Sequence, residues 1–250
     1  MPSCARHTWE EVNMVKPVLK LENLSSFIGA FHIVQGVSLD VFPGEAVVIL
    51  GRNGAGKTTT LRTIMGLLRV AGGVIELAGE TILGLPAHQV ARRGVGYVPE
   101  DCIVFNFLTV KENLQIAMRK ADKETYARQS YALDLFPDLK KAYSRYAATL
   151  SGGQRQMLAI ARVLQNDNKI ILIDEPSKGL APIIVERVGE ALITMKNSCT
   201  LILVEQNFPL ACAVGDRYYI LNGGRSVHSG HVTELANDVQ LQNRFLSIGA

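Results

Sequence analysis

A predicted buried strand runs directly into a glycine-rich loop, a combination that few folds accommodate. Residues 46–50 read AVVIL, a continuous apolar run typical of a strand buried on both faces. The next residues, GRNGAGKTT, match the pattern G-x-x-x-x-G-K-[ST] over 51–58. A helical pattern follows over 58–68. Strand, glycine loop and helix in this order predict an α/β fold built around a phosphate-binding loop, or P-loop.

The chemistry of this loop is suited to phosphate. Glycines let the backbone N–H groups approach phosphate oxygens closely, Lys57 supplies a positive charge, and the Thr58 hydroxyl can ligate a magnesium ion. A plain glycine turn is the alternative, and the flanking strand and helix argue against it. The predicted phosphate-binding residues are Gly51, Arg52, Asn53, Gly54, Ala55, Gly56, Lys57, Thr58 and Thr59.

Strand and helix patterns alternate along most of the chain. Further strands are predicted at 37–41, 74–77, 95–98, 170–173 and 201–204, with Gly72-Gly73 as a break, and helices at 152–165 and 182–195. This alternation predicts a mainly parallel sheet covered on both faces. Strand-like runs vanish between 108 and 146, which predicts an inserted helical subdomain at about 101–160. The residues 222–224 (NGG) predict a hairpin near the end.

Composition narrows the class of protein. Of the 250 residues 48% are hydrophobic and 20% charged, as in ordinary globular proteins. The net charge of +3 is small and no basic run concentrates it, so nucleic acid is not an expected partner. We interpret residues 1–17 as a disordered extension and not as a signal peptide. Since no apolar run approaches about 18 residues, any membrane association is expected to be peripheral.

Two carboxylates follow the apolar run at 170–173. The segment IILIDEP places Asp174 and Glu175 at the carboxyl edge of the predicted sheet, where ligands of open α/β folds bind. Asp174 can hold a magnesium ion, and Glu175 can orient or deprotonate an attacking water. A surface turn is the alternative for such a pair taken alone, and the P-loop in the same chain favours the catalytic interpretation.

A third motif identifies the family that the chain resembles. The segment LSGGQ (Leu150, Ser151, Gly152, Gly153 and Gln154) opens a helical stretch and predicts a helix N-terminus with exposed N–H groups. An ordinary serine N-cap is the alternative. With the P-loop and IILIDE in matching order and spacing, the sequence from about Val18 onward resembles the ATP-binding cassette (ABC) ATPases. The resemblance implies a P-loop NTPase fold with a RecA-like core, an antiparallel β subdomain and an inserted helical subdomain, forming one ATPase domain over 18–250.

The same resemblance implies how such a chain works. ATP and Mg²⁺ are the expected cofactors, and two cassettes pack head to tail as a homodimer or heterodimer. The segment LSGGQ of one cassette then caps the ATP held by the P-loop of the other. Integral membrane permease subunits, served by a solute-binding protein, are the further expected partners, at the cytoplasmic face of the membrane.

Departures from the general family pattern narrow the subgroup. Glu100 stands where a glutamine usually touches the metal and the water, and Gln206 stands where a histidine usually contacts the γ-phosphate. The segments VPE, PSKGLAP and LVEQN together resemble the ATPase of branched-chain amino acid importers, with urea and amide importers as relatives. Gln206 is thus a predicted catalytic residue beside Glu175, and Glu100 a predicted metal ligand beside Thr58 and Asp174. We interpret Glu205 as a solvated exit from a strand.

Two questions stay open at this point. The adenine-stacking aromatic of the family precedes a glycine that corresponds to Gly29, but Ile28 occupies that place and Phe27 is its neighbour. Either Phe27 stacks on the adenine or the base is held by weaker apolar contact, and of the two we favour Phe27. The importer hypothesis also has alternatives. They are an exporter, a soluble ABC ATPase acting on nucleic acid or the ribosome, and a regulatory cassette that does not hydrolyse ATP.

Overall fold

The apolar runs of the sequence become strands of two separate sheets in the computed structural model, which describes residues 16–246. The strands are β1 (Leu19–Ile28), β2 (Phe31–Val41), β3 (Ala46–Leu50), β4 (Arg69–Leu77), β5 (Glu80–Thr81), β6 (Val95–Val98), β7 (Ile170–Asp174), β8 (Leu201–Val204), β9 (Arg217–Asn222) and β10 (Arg225–His231). The helices are α1 (Lys57–Ile64), α2 (Ala87–Arg92), α3 (Val110–Ala117), α4 (Lys123–Leu135), α5 (Pro137–Lys141), α6 (Gly152–Val163), α7 (Pro182–Lys196), α8 (Phe208–Val214), α9 (Val232–Asn237) and α10 (Val239–Phe245).

The larger sheet confirms the predicted core. Its six strands run in the order β10-β9-β3-β8-β7-β6, and every pair is parallel except β10 with β9. Residues of β3, β7 and β8 are buried along their whole length, because helices or the second sheet cover both faces. The carboxyl ends of these three neighbours therefore lie side by side at one edge of the sheet.

Two hydrophobic cores pack against the two faces of this sheet. Successive side chains of a strand point to opposite faces, and the clusters follow that alternation: Val48 and Ile173 pack in one core, Val47 and Leu172 in the other. The first core continues into the helices α3 to α6. The second core continues into the four-stranded sheet. Both faces are thus used, as the continuous apolar runs predict.

The smaller sheet is antiparallel, in the order β2-β1-β4-β5. The sequence prediction found only part of it, since β1 was not anticipated and β2 starts at Phe31 instead of 37. The reason is that the pairing of β1 with β2 contains several register shifts, so neither strand keeps a regular apolar alternation.

Two predicted boundaries next to the P-loop are wrong. The helix expected over 58–68 ends at Ile64, because Gly66 has φ of +68° and a side chain there would meet the carbonyl oxygen of Leu85 at 2.2 Å. Gly72-Gly73 also fails to break the chain, since β4 passes straight through the pair. The two glycines lie beside a register shift of β1, where Gly73 takes φ of +100°.

The middle of the chain is helical, as expected. The helices α3 to α6 follow one another from Val110 to Val163, and the described residues of that stretch contribute no strand to either sheet. The helices expected at 152–165 and 182–195 and the hairpin at 222–224 are also present, within two residues. The division into a single ATPase domain with a helical subdomain at about 101–160 stays a prediction. The extension at 1–17 lies almost wholly outside the described residues.

Within 16–246 the structure contains no helix that is both long enough and apolar enough to cross a bilayer.

The two adjacent glycines of β4 make a matched pair for a stability test. A Cβ at Gly73 would meet backbone atoms of Glu22, Asn23 and Leu24 at 2.6–2.7 Å, whereas a Cβ at Gly72 would meet nothing within 4 Å. Left-handed backbone strain and overpacking together predict a loss of about 2–4 kcal/mol for Gly73→Ala. Gly72→Ala should change the unfolding free energy by less than about 1 kcal/mol. Urea unfolding followed by circular dichroism measures both, and equal effects of the two variants would contradict the described register.

Candidate active site

The P-loop is held in place by β3 on one side and α1 on the other. Gly51 follows β3 with φ of +144°, and a side chain there would meet the carbonyl oxygen of Leu221 at 2.3 Å. Gly56, with φ of +99°, caps the start of α1. The loop therefore needs glycine at both ends, and the N–H groups of the first turn of α1 face the loop, where an anion can bind them.

Lys57 is folded back across the loop. Its side chain is 5% exposed, and Nζ donates to the carbonyl oxygens of Gly51 at 2.9 Å and Arg52 at 3.3 Å. Nζ also lies 3.9 Å from Oε1 of Glu175. Burial lowers the pKa of the Lys57 ammonium below its usual value, and the negative charges of Glu175 and Asp174 oppose that shift. The charge is thus buried beside carboxylates at the mouth of the loop.

Thr58 and Asp174, which belong to separate sequence motifs, are in direct contact. The Thr58 hydroxyl donates to Oδ1 of Asp174 at 3.0 Å, and the Tyr97 hydroxyl donates to Oδ2 at 3.4 Å. Asp174 is fully buried at the end of β7, and burial raises the pKa of its carboxyl to about 6. A hydroxyl and a carboxylate oxygen are donors that Mg²⁺ accepts, usually together with substrate phosphates. The donor set therefore fits a magnesium ion.

Glu175 and Gln206 meet across the ends of β7 and β8. Gln206 Nε2 donates to Oε1 of Glu175 at 2.5 Å. Glu175 has φ of +45°, a conformation that costs a non-glycine residue about 1–3 kcal/mol and persists only where the surroundings hold it. Its backbone N–H donates to Val204 O at 2.8 Å, which extends the pairing of the two strands by one bond. The two predicted catalytic side chains are thereby brought together.

Glu100 lies at the rim of this group. Its Oε1 accepts from Lys178 Nζ at 2.5 Å, and the same Nζ is 3.6 Å from Oε2 of Glu175. Hydrogen bonding to Glu100 raises the pKa of the Lys178 ammonium above its usual value. The lysine thus links Glu100 to Glu175, and Glu100 makes no hydrogen bond to Thr58 or Asp174 in the described part of the chain.

The expectation that Glu205 is a solvated strand exit is wrong. The side chain is 1% exposed and lines a cleft of about 380 Å³ together with Gly51, Arg52 and Gln206. Its carboxylate accepts three backbone hydrogen bonds, which replace the water that a solvated carboxylate would bind.

The segment Leu150 to Gln154 forms an exposed helix N-terminus. Ser151 caps α6, accepting from Gln154 N at 3.2 Å, while the Gln154 side chain accepts from Ser151 N at 3.1 Å. Ser151 and Gly152 are exposed, whereas Leu150 and Gly153 are buried. In the part of the chain that the structure describes, no hydrogen bond joins this segment to the P-loop. The capping box uses the N–H groups of Ser151 and Gln154, and Gly152 is the exposed residue between them.

The two candidates for the adenine contact lie on opposite faces of β1. Ser26 donates to or accepts from Thr63 of α1 at 2.8 Å, so Ile28, two residues further along the strand, lies on the same face as the P-loop helix. Phe27 lies on the other face, where its ring stacks on His32 with centroids 4.4 Å apart. Ile28 is paired across the turn with Phe31, and the two side chains are 43% and 73% exposed. This placement favours Ile28 over Phe27.

Comparison with known families gives this geometry a context. The model of the ABC transporter family matches residues 34–178, which is more than half of the chain and includes the P-loop, LSGGQ and Asp174-Glu175. The chain belongs to the ABC transporter family. The resemblance inferred from the sequence motifs is thereby confirmed.

Curated relatives match this cassette over nearly its whole length. It is 39% identical to the high-affinity branched-chain amino acid transport ATP-binding protein BraG of Pseudomonas aeruginosa, covering 92% of the chain and 99% of BraG. It is 36% identical to the probable branched-chain amino acid transport ATP-binding protein LivF of Archaeoglobus fulgidus, covering 92% and 99%. It is also 35% identical to the lipopolysaccharide export system ATP-binding protein LptB of Haemophilus influenzae, covering 92% and 97%.

Solved structures share the fold. A nucleotide-free ATP-binding cassette from an ABC transporter superposes with a TM-score of 0.79 at 24% identity, covering 94% of this chain and all of that one. An ATP-binding subunit of an ABC transporter gives a TM-score of 0.77 at 27% identity, covering 92% and 96%. The predicted P-loop NTPase fold is confirmed. The protein is an ATP-binding, ATP-hydrolysing subunit of a transporter.

Three side chains around this cassette's site were not predicted from the sequence: Tyr97, Lys178 and Glu205. Tyr97 stands on β6 and Lys178 in the turn after Glu175, so each reaches the site from a separate segment. The only signal in the sequence was position, since all three lie within three residues of Glu100, Glu175 or Gln206. Nothing local distinguishes such a neighbour from a solvated residue.

Replacing Gln206 with alanine should slow turnover more than it weakens ATP binding. The amide contacts Glu175 and not the P-loop backbone, so we expect kcat for ATP hydrolysis to fall about tenfold or more, as for loss of a hydrogen bond to a charged group. The KM for ATP should change less than about threefold. Steady-state phosphate release measures both, and an unchanged kcat would show that Gln206 takes no part in the reaction.

Proposed function

We propose that this cassette powers the uptake of branched-chain or other amino acids through separate permease subunits at the cytoplasmic face of the membrane. The observation that carries the proposal is the similarity to BraG and LivF over 92% of the chain. The segments VPE, PSKGLAP and LVEQN support the same subgroup. A second cassette and a solute-binding protein complete the proposed system.

The proposed catalytic roles follow from the contacts at the sheet edge. The residues 51–59 bind the ATP phosphates, with Lys57 released from its carbonyl partners to meet them. Thr58 and Asp174 would hold Mg²⁺, which would offset phosphate charge, and Glu100, which pairs with Lys178, would be a further ligand. Glu175 takes a proton from the attacking water while Gln206 fixes the orientation of that carboxylate or of the water.

A head-to-tail dimer completes the proposed site. Ser151 and Gly152 are exposed, and within the described residues no hydrogen bond joins them to the P-loop of their own chain. A helix N-terminus with free N–H groups attracts anions. The ATP phosphates held by a second cassette supply that anion. Adenine is held by weak apolar contact with Ile28, which shares its face of the sheet with α1.

An exporter is the second candidate function. The specific observation in its favour is the 35% identity to LptB over almost the same length, only a few per cent below that of the amino acid transport proteins. Urea or amide import is a nearer variant of the first proposal. In each case the permease subunits, and not this chain, contact the transported molecule.

Transport can be tested with the complete system. The affinity-tagged chain is purified in mild detergent from membranes of cells that express it from its own locus, and the proteins bound to it are identified by mass spectrometry. We expect a second cassette and integral membrane subunits. After reconstitution in liposomes with the solute-binding protein, ATP should drive uptake of radiolabelled leucine, isoleucine or valine.

The matched control is the same preparation carrying Lys57→Ala, which should bind the same membrane subunits and transport nothing. Uptake of urea or short amides in place of amino acids would show that the cassette serves a urea or amide importer. Association with subunits of a lipopolysaccharide export system would contradict import and support the exporter.

A further inference from the structure

Glu205 is a buried carboxylate that joins two loops of the site. Its Oε1 accepts from the backbone N–H of Ser177 at 3.1 Å, and its Oε2 accepts from the N–H groups of Gln206 at 2.7 Å and Asn207 at 2.8 Å. Ser177 belongs to the turn that follows β7, and Gln206 and Asn207 belong to the turn that follows β8. One side chain thus connects two turns that are 28 residues apart in sequence.

These bonds suit a side chain that offers two acceptor oxygens. Three N–H donors point at the side chain, and an ionised carboxylate is acceptor-only with two oxygens to offer. A glutamine in its place would offer one oxygen and turn an NH₂ group toward the remaining donor. Hydrogen bonds to a charged acceptor are stronger than those between neutral groups. The three bonds therefore hold both turns firmly.

The turns that Glu205 connects carry the two side chains at the reaction centre. Ser177 is two residues after Glu175, and Gln206 is the residue after Glu205. The last paired residues of β7 and β8 are Asp174 and Val204, so beyond them little but the Glu175 N–H to Val204 O bond fixes the spacing. Glu175 has a strained φ of +45° at that point. Such a conformation persists only where neighbouring contacts over-determine it.

We propose that Glu205 is a positioning residue for ATP hydrolysis: by clamping the turn after β7 to the turn after β8, it sets the contact between Gln206 Nε2 and Glu175 Oε1. The inference rests on the roles proposed above for Glu175 and Gln206. Among the described residues, the Glu205 side chain makes no hydrogen bond to the P-loop or to the side chains of Glu175 and Gln206. It acts through Glu175 and Gln206, whose side chains it holds in place.

A purely structural role is the competing explanation, and it makes different predictions. A residue that only stabilised the fold would alter the thermal midpoint without a selective effect on kcat. Glu205 also lies close enough to Lys57 for its charge to act on that ammonium. A role exerted through Lys57 would change ATP affinity. The test must therefore separate kcat from KM and from stability.

The first variant is Glu205→Gln, compared with Glu186→Gln on the exposed surface of α7 as a matched control. We expect Glu205→Gln to lower kcat for phosphate release at least tenfold while KM for ATP changes less than threefold, and Glu186→Gln to change neither. Glu205→Asp keeps both oxygens and can still reach the two adjacent N–H groups, so its kcat should lie between those of Glu205→Gln and the unmodified chain. This variant also keeps the proposal testable if Glu205→Gln fails to fold.

The decisive comparison is a double-mutant cycle with Gln206→Ala. If Glu205 acts through the contact between Gln206 and Glu175, Gln206→Ala removes that contact, and Glu205 then has little further effect on kcat. The loss of kcat caused by Glu205→Gln should then be at least fivefold smaller in the Gln206→Ala background. An equal loss in both backgrounds, a rise in KM at constant kcat, or a kcat for Glu205→Asp no higher than that of Glu205→Gln would overturn the proposal.

Glu175→Gln, assayed alongside, tells the failure of this inference from the failure of its premise. If Glu175→Gln is inactive and Glu205→Gln hydrolyses ATP like the unmodified chain, Glu205 is not a positioning residue and the catalytic assignment stands. If Glu175→Gln keeps the full kcat, the assigned role of Glu175 is wrong and the inference about Glu205 is overturned with it.

Discussion

The parallel alignment of β3, β7 and β8 determines where the side chains of the site meet. Parallel neighbours end at the same edge of the sheet. The P-loop after β3, the carboxylates after β7 and the amide after β8 are therefore brought together by the strand pairing itself. Lys57, Asp174 and Glu175 are all nearly or fully buried there. Buried charges are tolerated only when they are paired or bind ions, so the site is stable as a group and each member depends on the others.

Local patterns predicted the parts of the site that local chemistry determines. The P-loop and IILIDE could be found from the sequence because each combines a strand with the residue types that its function needs, in adjacent positions. The role of Glu205 could not be found in this way. A glutamate after a strand gives the same sequence pattern whether water or backbone N–H groups bind its carboxylate. Its three donors come from two turns, one of which lies 28 residues away. Tyr97 and Lys178 were missed because their partners, Asp174 and Glu100, also lie on distant segments of the chain.

The antiparallel sheet shows the corresponding limit for the fold. Gly72-Gly73 has the sequence of a break, but the neighbouring register shift of β1 makes Gly73 necessary inside a strand. Strand alternation likewise turns the Phe27 ring toward His32, a contact that the sequence does not reveal, and the adenine contact stays a prediction. In both cases the partner strand, and not the residue type, decides the outcome.

ATP is proposed to be hydrolysed at the edge formed by β3, β7 and β8. Release of phosphate from ATP by the purified chain with magnesium tests it most directly, with Lys57→Ala compared against Lys123→Ala on the exposed start of α4. We expect slow, magnesium-dependent turnover that Lys123→Ala leaves unchanged and Lys57→Ala abolishes. Turnover that survives in Lys57→Ala at the rate of the unmodified chain would contradict it.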